Sequence, residues 1–318
     1  MSKLAYVFPG QGSQVVGMGR SIYDNFHEAR AVFELVEEFS NLPIRKLCFD
    51  GPDEDLKRTL NTQNAILAVS MAIYETLIKN HDSTPDYVAG HSLGELTSLY
   101  TANVLAAREI VQLVALRSRL MDSCPPGTMA AIIGMDVQLL ETLINTTNQK
   151  LGLEAGVVIA NYNLPNQLII SGTIEAVTEL CQAAKKHKAK AIMLKVGGAF
   201  HSPLMTEAYK IFKETLNHVN FQNAKCKIVQ NYDAKSTTNK DEIKAKLSNQ
   251  INSPVLWFQS IETMINEGVT TFVEIGPNNV LSNLIQKFNP NVKVLNIQDK
   301  DSLAQGLNYL NTQFIKQN

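Results

Sequence analysis

Three residues of this chain sit in surroundings that point to chemistry: a serine between glycines, an arginine on an apolar helix stripe, and a histidine after a double glycine. The serine is Ser92, in the stretch Asp86-Tyr87-Val88-Ala89-Gly90-His91-Ser92-Leu93-Gly94-Glu95. An apolar run ends at Gly90 and a helix-compatible segment begins after Ser92, so the serine falls on a strand-to-helix turn with the G-x-S-x-G spacing of a nucleophile elbow. Missing side chains at Gly90 and Gly94 relieve the crowding of so sharp a turn. The free N–H groups of a helix N-terminus favour negative charge developing beside the hydroxyl. A Gly-rich loop that merely exposes a serine has the same spacing, so the rest of the chain must decide between the two.

The arginine is Arg117. Ile110, Leu113, Val114, Arg117 and Met121 follow i, i+3, i+4, i+7, i+11, which places its guanidinium in the apolar stripe of a helix from Ala106 to Asp122, whereas Arg119 falls on the opposite face. An inward guanidinium is costly without an anion to meet it. That anion is either a permanent internal carboxylate or the carboxylate of a substrate. The histidine is His201, in Gly197-Gly198-Ala199-Phe200-His201-Ser202-Pro203. Of six histidines it alone has a small, apolar, turn-like setting at an expected strand end, where it can be a base for Ser92 or a structural core residue. His27, His81, His187 and His218 read as solvated. His91 adjoins the serine, where a neighbour on an elbow usually points away; it stays a candidate for substrate contact.

These residues need elements to hold them. Leu4 to Phe8 reads as a buried strand stopped by Pro9, and the loop Gly10-Gln11-Gly12-Ser13-Gln14 leads into helix. Its glycines let the backbone approach a ligand and its N–H groups donate, or they simply make a tight connection. No Lys-Ser/Thr closes a phosphate loop, and the third glycine of a dinucleotide fingerprint is missing. Residues 20–82 are mostly helical by pattern, with no chemistry standing out. After Pro125-Pro126-Gly127 the order becomes strand 129–134, helix 137–148, strand 157–161, strand 168–171, helix 174–187 and strand 191–196, the β-α-β-β-α-β order of a ferredoxin-like unit. The expected organisation is a large α/β domain in two parts, 1–126 and 198–318, interrupted by an inserted small domain, 127–197. Strands at 226–230, 271–275 and 292–297 complete the large sheet, and the polar tail from Asp299 to Asn318 reads as a peripheral helix.

Composition narrows the function classes. With 318 residues, 45% hydrophobic and 19% charged, the chain has the make-up of an ordinary globular protein. Twenty-nine basic against thirty acidic residues give a net charge of −1, which argues against nucleic-acid binding by bulk charge while leaving room for a local basic patch facing an acidic partner. The four cysteines are far apart and lack metal-ligand spacing, as expected for reduced thiols. No apolar run suits a signal peptide or a membrane span, so a cytoplasmic monomer is the expectation.

Together these stretches resemble the acyltransferase family of malonyl-CoA:acyl carrier protein transacylases, relatives of polyketide-synthase acyltransferase domains. The resemblance covers nearly the whole chain. It is carried by Phe8-Pro9-Gly10-Gln11-Gly12-Ser13-Gln14, Gly90-His91-Ser92-Leu93-Gly94-Glu95, Leu116-Arg117, Asn161-Tyr162-Asn163-Leu164-Pro165 with Ile170-Ser171-Gly172, Ala199-Phe200-His201-Ser202, Gln250 with Pro254-Val255-Leu256-Trp257, and Glu274-Ile275-Gly276-Pro277. It implies an α/β-hydrolase-like large domain with an inserted ferredoxin-like small domain. It further implies Ser92 as nucleophile, His201 as general base and acid, and Arg117 on the malonyl carboxylate. The N–H groups of Gln11 and Leu93 would form the oxyanion hole, and the carbonyl of Gln250 would orient His201 where other serine enzymes use an aspartate. Phe200 goes with malonyl over methylmalonyl groups in relatives. Malonyl-CoA and acyl carrier protein are then the substrates, with no cofactor. Ser118 stands where the family usually has glycine, a change expected to move the arginine slightly, and Asn278 replaces another glycine at a site where Asn tolerates left-handed backbone. Three other readings share the same residues: a thioesterase or serine hydrolase, a free-standing polyketide acyltransferase, and a catalytically silent binding module.

Overall fold

The computed structural model describes residues 2–81 and 84–314. The central strand is β1 (Lys3–Phe8), flanked in parallel by β2 (Tyr87–Gly90) and, on its other side, by β9 (Val269–Ile275). With β10 (Lys293–Ile297) outside β9, and β7 (Lys227–Val229) and the short antiparallel β8 (Ser236–Thr237) outside β2, the order is β10-β9-β1-β2-β7-β8. A strand covered on both faces must be apolar throughout. In β1, Leu4, Tyr6 and Phe8 point into one core and Ala5 and Val7 into the other. The first core lies under helices Thr59–Asn80, Leu93–Thr101 and Ala107–Asp122, and the second under Trp257–Asn266 and Val280–Phe288.

The interruption is a second sheet of β3 (Thr128–Ile133), β4 (Val157–Leu164), β5 (Gln167–Gly172) and β6 (Lys190–Met193), antiparallel in the order β4-β5-β3-β6. Helices Val137–Lys150 and Ile174–Lys186 cover it with a core of its own. This is the ferredoxin-like order that the sequence implied. The small sheet is tied to the large domain where Tyr162 N donates to Val255 O at 2.9 Å and Val255 N to Ala160 O at 2.8 Å. That seam brings β4 against the segment just after Gln250.

Three expectations change. The tail helix, Lys300–Gln313, is not peripheral: Leu303 and Leu310 are buried in the main core, because their spacing of seven puts both on one face. Residues 315–318 of that tail lie outside the described residues. His81 is buried, with its Nδ1 2.6 Å from Asn311 Oδ1 on this same helix, rather than solvated. The strand expected over 191–196 ends at Met193, and Leu194 and Val196 turn away to wall a cavity. No described helix is long and apolar enough to cross a membrane.

Candidate active site

Parallel sheets place ligands beyond the carboxyl ends of their strands, and here the loops after β1 and β2 meet there. Ser92 takes φ 53° and ψ −102°, a sparsely populated conformation for a residue with a side chain. Both neighbouring glycines are required by crowding. A Cβ on Gly90 would lie 1.9 Å from the Gly94 carbonyl carbon, and one on Gly94 would lie 2.0 Å from Phe8 O. The turn is clamped by Asn231, just beyond β7, whose Oδ1 accepts from Ser92 N at 2.8 Å while its Nδ2 donates to Gly90 O at 2.7 Å. Asn231 N in turn donates to the fully buried Glu95 carboxylate at 2.7 Å.

The hydroxyl of Ser92 lies 2.8 Å from His201 Nε2. On the far side of the ring, Nδ1 is 3.0 Å from Gln250 O and 3.1 Å from Ser253 O. Two carbonyls can only accept, so Nδ1 carries the proton and Nε2 is left bare to receive one from Ser92. Burial, and then the charge of Arg117, push the imidazole down to about 3, so the ring is neutral. It is itself 3% exposed.

Arg117 is as buried as the stripe demanded, at 1% exposure. Its Nη2 donates to Ser92 Oγ at 2.9 Å and to Gln250 Oε1 at 3.0 Å, and its Nη1 donates to Gln63 Oε1 at 2.7 Å. Every one of these acceptors is neutral. Among the described residues no carboxylate forms an ion pair with it, and Nε has no partner at all. The internal salt bridge weighed from the sequence is therefore not what holds this arginine. Burial lowers its pKa to about 10, opposed by the charge of Glu95, whose own carboxyl burial pushes up. Ser118 keeps its hydroxyl away from the site: it accepts from Asn64 Nδ2 at 2.9 Å and donates to Ala115 O at 3.1 Å.

Ser92, Arg117 and His201 face a cavity of about 150 Å³, to which Gln11, Leu93, His91 and Phe200 also contribute. Gln250 lies behind it, its side chain donating to Ser92 O at 2.7 Å. Neither the Gln11 nor the Leu93 main-chain N–H has a protein acceptor among the described residues. His91 turns toward the cavity instead of away. Its ring packs against Trp257 at 5.5 Å with the planes tilted by 60°, and its Nε2 meets Asn163 Oδ1 of β4 at 2.8 Å. Asn278, at φ 64°, does occupy the left-handed region. Beside it Glu274 accepts from Leu281 N at 3.0 Å and Ser282 N at 2.7 Å, capping the helix Val280–Phe288, and burial raises its carboxyl to about 7.

A hydroxyl, a bare imidazole nitrogen, a pair of free N–H groups and a charged but unneutralised guanidinium around one small cavity, on this fold, define an α/β acyltransferase. The chain belongs to the acyltransferase family, whose acyl transferase domain matches residues 5–304. It is 40% identical over 314 residues to the malonyl CoA-acyl carrier protein transacylase of Bacillus subtilis, covering 98% of each chain. Among solved structures it is similar to the malonyl CoA-acyl carrier protein transacylase of Clostridium perfringens, with a TM-score of 0.90, 33% identity and 98% of each chain covered. It is likewise similar to a malonyl-transacylase solved in complex with a type II PKS acyl-carrier protein, with a TM-score of 0.92, 32% identity, and 97% of this chain and 100% of that one covered.

Proposed function

We propose that this acyltransferase moves the malonyl group from malonyl-CoA to the phosphopantetheine thiol of acyl carrier protein, supplying fatty-acid synthesis. The observation that carries this reading is the buried Arg117 guanidinium, held by neutral acceptors with Nη2 2.9 Å from the Ser92 hydroxyl. A carboxylate two bonds beyond an acyl carbonyl suits that spacing, and it can take two parallel N–H bonds from the fork.

In this reading Ser92 Oγ attacks the thioester carbonyl as its proton passes to His201 Nε2. The N–H groups of Gln11 and Leu93 hold the oxyanion, and the proton is returned to the sulfur of CoA as it leaves. The carrier thiol then repeats these steps on the malonyl-serine ester. Gln250 O and Ser253 O keep the imidazole in the required tautomer throughout. Phe200, at 5% exposure against the cavity, fills the space an α-methyl group would need. His91 contacts the substrate from the opposite wall. Residues 127–197 act as the inserted unit that closes the pocket, and the chain works as a cytoplasmic monomer without a cofactor.

Intact-mass measurement after mixing with malonyl-CoA tests this directly. One malonyl group is expected on the peptide containing Ser92, stable until carrier protein is added and then recovered on the carrier. Loss of the group to water without carrier would mark a hydrolase instead, and no gain in mass would mark a silent binding module.

Gln63 supplies a finer test, because it holds Arg117 Nη1 through a neutral oxygen. Gln63→Glu places a carboxylate in that position and neutralises the guanidinium from within. Malonyl acylation is expected to fall about tenfold or more, roughly 1.4 kcal/mol, with acetyl acylation little changed. The ratio of the two rates, measured in the same preparation, checks it.

A further inference from the structure

The stretch Glu274-Ile275-Gly276-Pro277 carries part of the family resemblance, yet none of its residues lines the catalytic cavity. It lies at the end of β9, beside β1, and the register that pairs Val7 with Glu274 brings Pro9 level with Gly276 two residues later. There the two loops touch so closely that a Cβ on Gly276 would lie 2.6 Å from Pro9 Cγ and 2.6 Å from Ser70 Oγ. On the β2 side of β1, a Cβ on Gly10 would lie 2.3 Å from His91 O. The segment Pro9-Gly10, which leads into Gln11, is thus wedged between the nucleophile elbow and Gly276. The loop after β9 is fixed in turn. Gly276 N donates to Ile297 O at 3.1 Å and Asn296 Nδ2 to Asn278 O at 2.7 Å, which ties it to β10. Glu274 accepts from Leu281 N and Ser282 N, so one carboxylate joins the strand before the loop to the helix after it.

Two ordinary explanations cover only part of this. A sharp turn after a strand accounts for a glycine at φ 148°, and a helix N-terminus attracts a carboxylate. A turn, however, needs no contact with Pro9. A cap in its usual place, on the residue before the helix, would also stay in water. Here that residue, the exposed Asn279, makes no cap with its side chain, and the capping falls to a carboxylate fully buried in the sheet, a costly place for one. The result is a loop held at both of its ends, with the Pro9 ring resting on it.

We propose that Glu274 and Gly276 are positioning residues for the oxyanion hole: the carboxylate fixes the loop after β9, Gly276 supports the Pro9 ring, and Pro9 sets where the Gln11 N–H points. This deepens the transfer reading above and rests on it. A proline ring is rigid and part of the main chain, so it passes a displacement on to the next residues instead of absorbing it in a rotamer. An oxyanion donor in turn acts only when it is held at hydrogen-bond distance from the place where the charge develops.

Single-turnover acylation of Ser92 is measured on the complete chain with malonyl-CoA and with acetyl-CoA. Gly276→Ala is expected to lower the saturating rate constant for both substrates by at least about tenfold, part of the roughly 10²- to 10³-fold loss that follows removal of an oxyanion donor. Two small molecules then separate the parts of the site. Malonate offers Arg117 a carboxylate without becoming tetrahedral, whereas carboxymethylboronic acid becomes a tetrahedral anion when Ser92 Oγ adds to boron. Malonate binding is expected to be unchanged, which also shows that the site is folded, and boronate binding to weaken by the same factor as the rate. A merely structural disturbance would weaken both. Glu274→Gln keeps the side-chain shape but turns one acceptor into a donor facing an N–H, and is expected to give the same pattern at about threefold or more. It decides the matter if Gly276→Ala does not fold. Asn279→Ala, at an exposed position of the same loop, is expected to have no effect. An unchanged acylation rate in either folded variant, a fall for malonyl alone, malonate and boronate weakened alike, or an equal fall in Asn279→Ala would each overturn the proposal. Absence of any malonyl adduct on the unchanged chain would instead overturn the transfer reading, and this proposal with it.

Discussion

A His201→Ala variant is expected to acylate Ser92 at least about 10⁴-fold more slowly than the parent chain, the size of loss that follows removal of a base acting as one unit with its nucleophile. The residual rate would come from the N–H groups of Gln11 and Leu93 and from binding. Single-turnover acylation with malonyl-CoA measures it, and a loss of less than tenfold would mean that the 2.8 Å contact with Ser92 is not a path for the proton. The parent should also show a characteristic pH profile. A base must be unprotonated to act, and His201 is pushed far below the ordinary histidine value, to about 3. Acylation kcat/KM is therefore expected to stay flat as pH falls from about 8 to about 5, with no break near 6.5. After burial, the largest cause of that depression is the charge of Arg117. Removing that charge should raise the pKa, so in an Arg117→Ala variant assayed with acetyl-CoA the acid limb should move upward toward 6.5.

The parts of this machinery that could be read from the sequence are those whose side chains break a local pattern. Arg117 interrupts an apolar stripe, and Ser92 and His201 sit beside glycines at strand ends, so periodicity and turn chemistry are enough to expose them. The inserted domain was legible for a similar reason, since the order of its strands and helices differs from what precedes it. Gln63 was not. The helix Thr59–Asn80 is buried on almost every side, so its apolar residues mark no single face and a polar residue within it has no background to stand out against. The available signal was the run Thr62, Gln63, Asn64 just before the apolar middle of the helix, three polar residues that burial obliges to find partners. Ser253 acts through its carbonyl, which every residue has, and no sequence pattern marks a main-chain acceptor. Asn231 follows a short strand as many loop residues do, and only the tertiary fold brings it onto the elbow 139 residues away. Its link to Glu95 does give a physical role to the glutamate after the second glycine: a buried carboxylate anchors the Asn231 main chain, and Asn231 anchors the strained turn.

Replacing Arg117 by alanine is expected to cut malonyl acylation by two to three orders of magnitude, about 3–4 kcal/mol, the usual consequence of stranding one member of a buried charge pair. Acetyl acylation should be unchanged or faster, and the two substrates part for two separate reasons. The first is binding. Malonyl brings the anion that the guanidinium lacks in the free protein, whereas acetyl leaves Nε without a partner and the charge uncompensated. The second is the cost of moving the proton. As His201 accepts it, a second positive charge appears close to Arg117 in a buried site. A malonyl carboxylate seated on the arginine offsets that repulsion, so the substrate itself makes the imidazole a better base. Acetyl offers no such compensation in the parent chain, but deleting the arginine removes the repulsion altogether. Acylation rate constants for malonyl-CoA and acetyl-CoA, measured on parent and variant across the same pH range, test both reasons. An equal fall for the two substrates would mean that Arg117 only holds the elbow through its bonds to Ser92 and Gln250. A selective fall for malonyl, with no gain for acetyl at about pH 8 and no upward move of its acid limb, would support the binding reason and remove the electrostatic one.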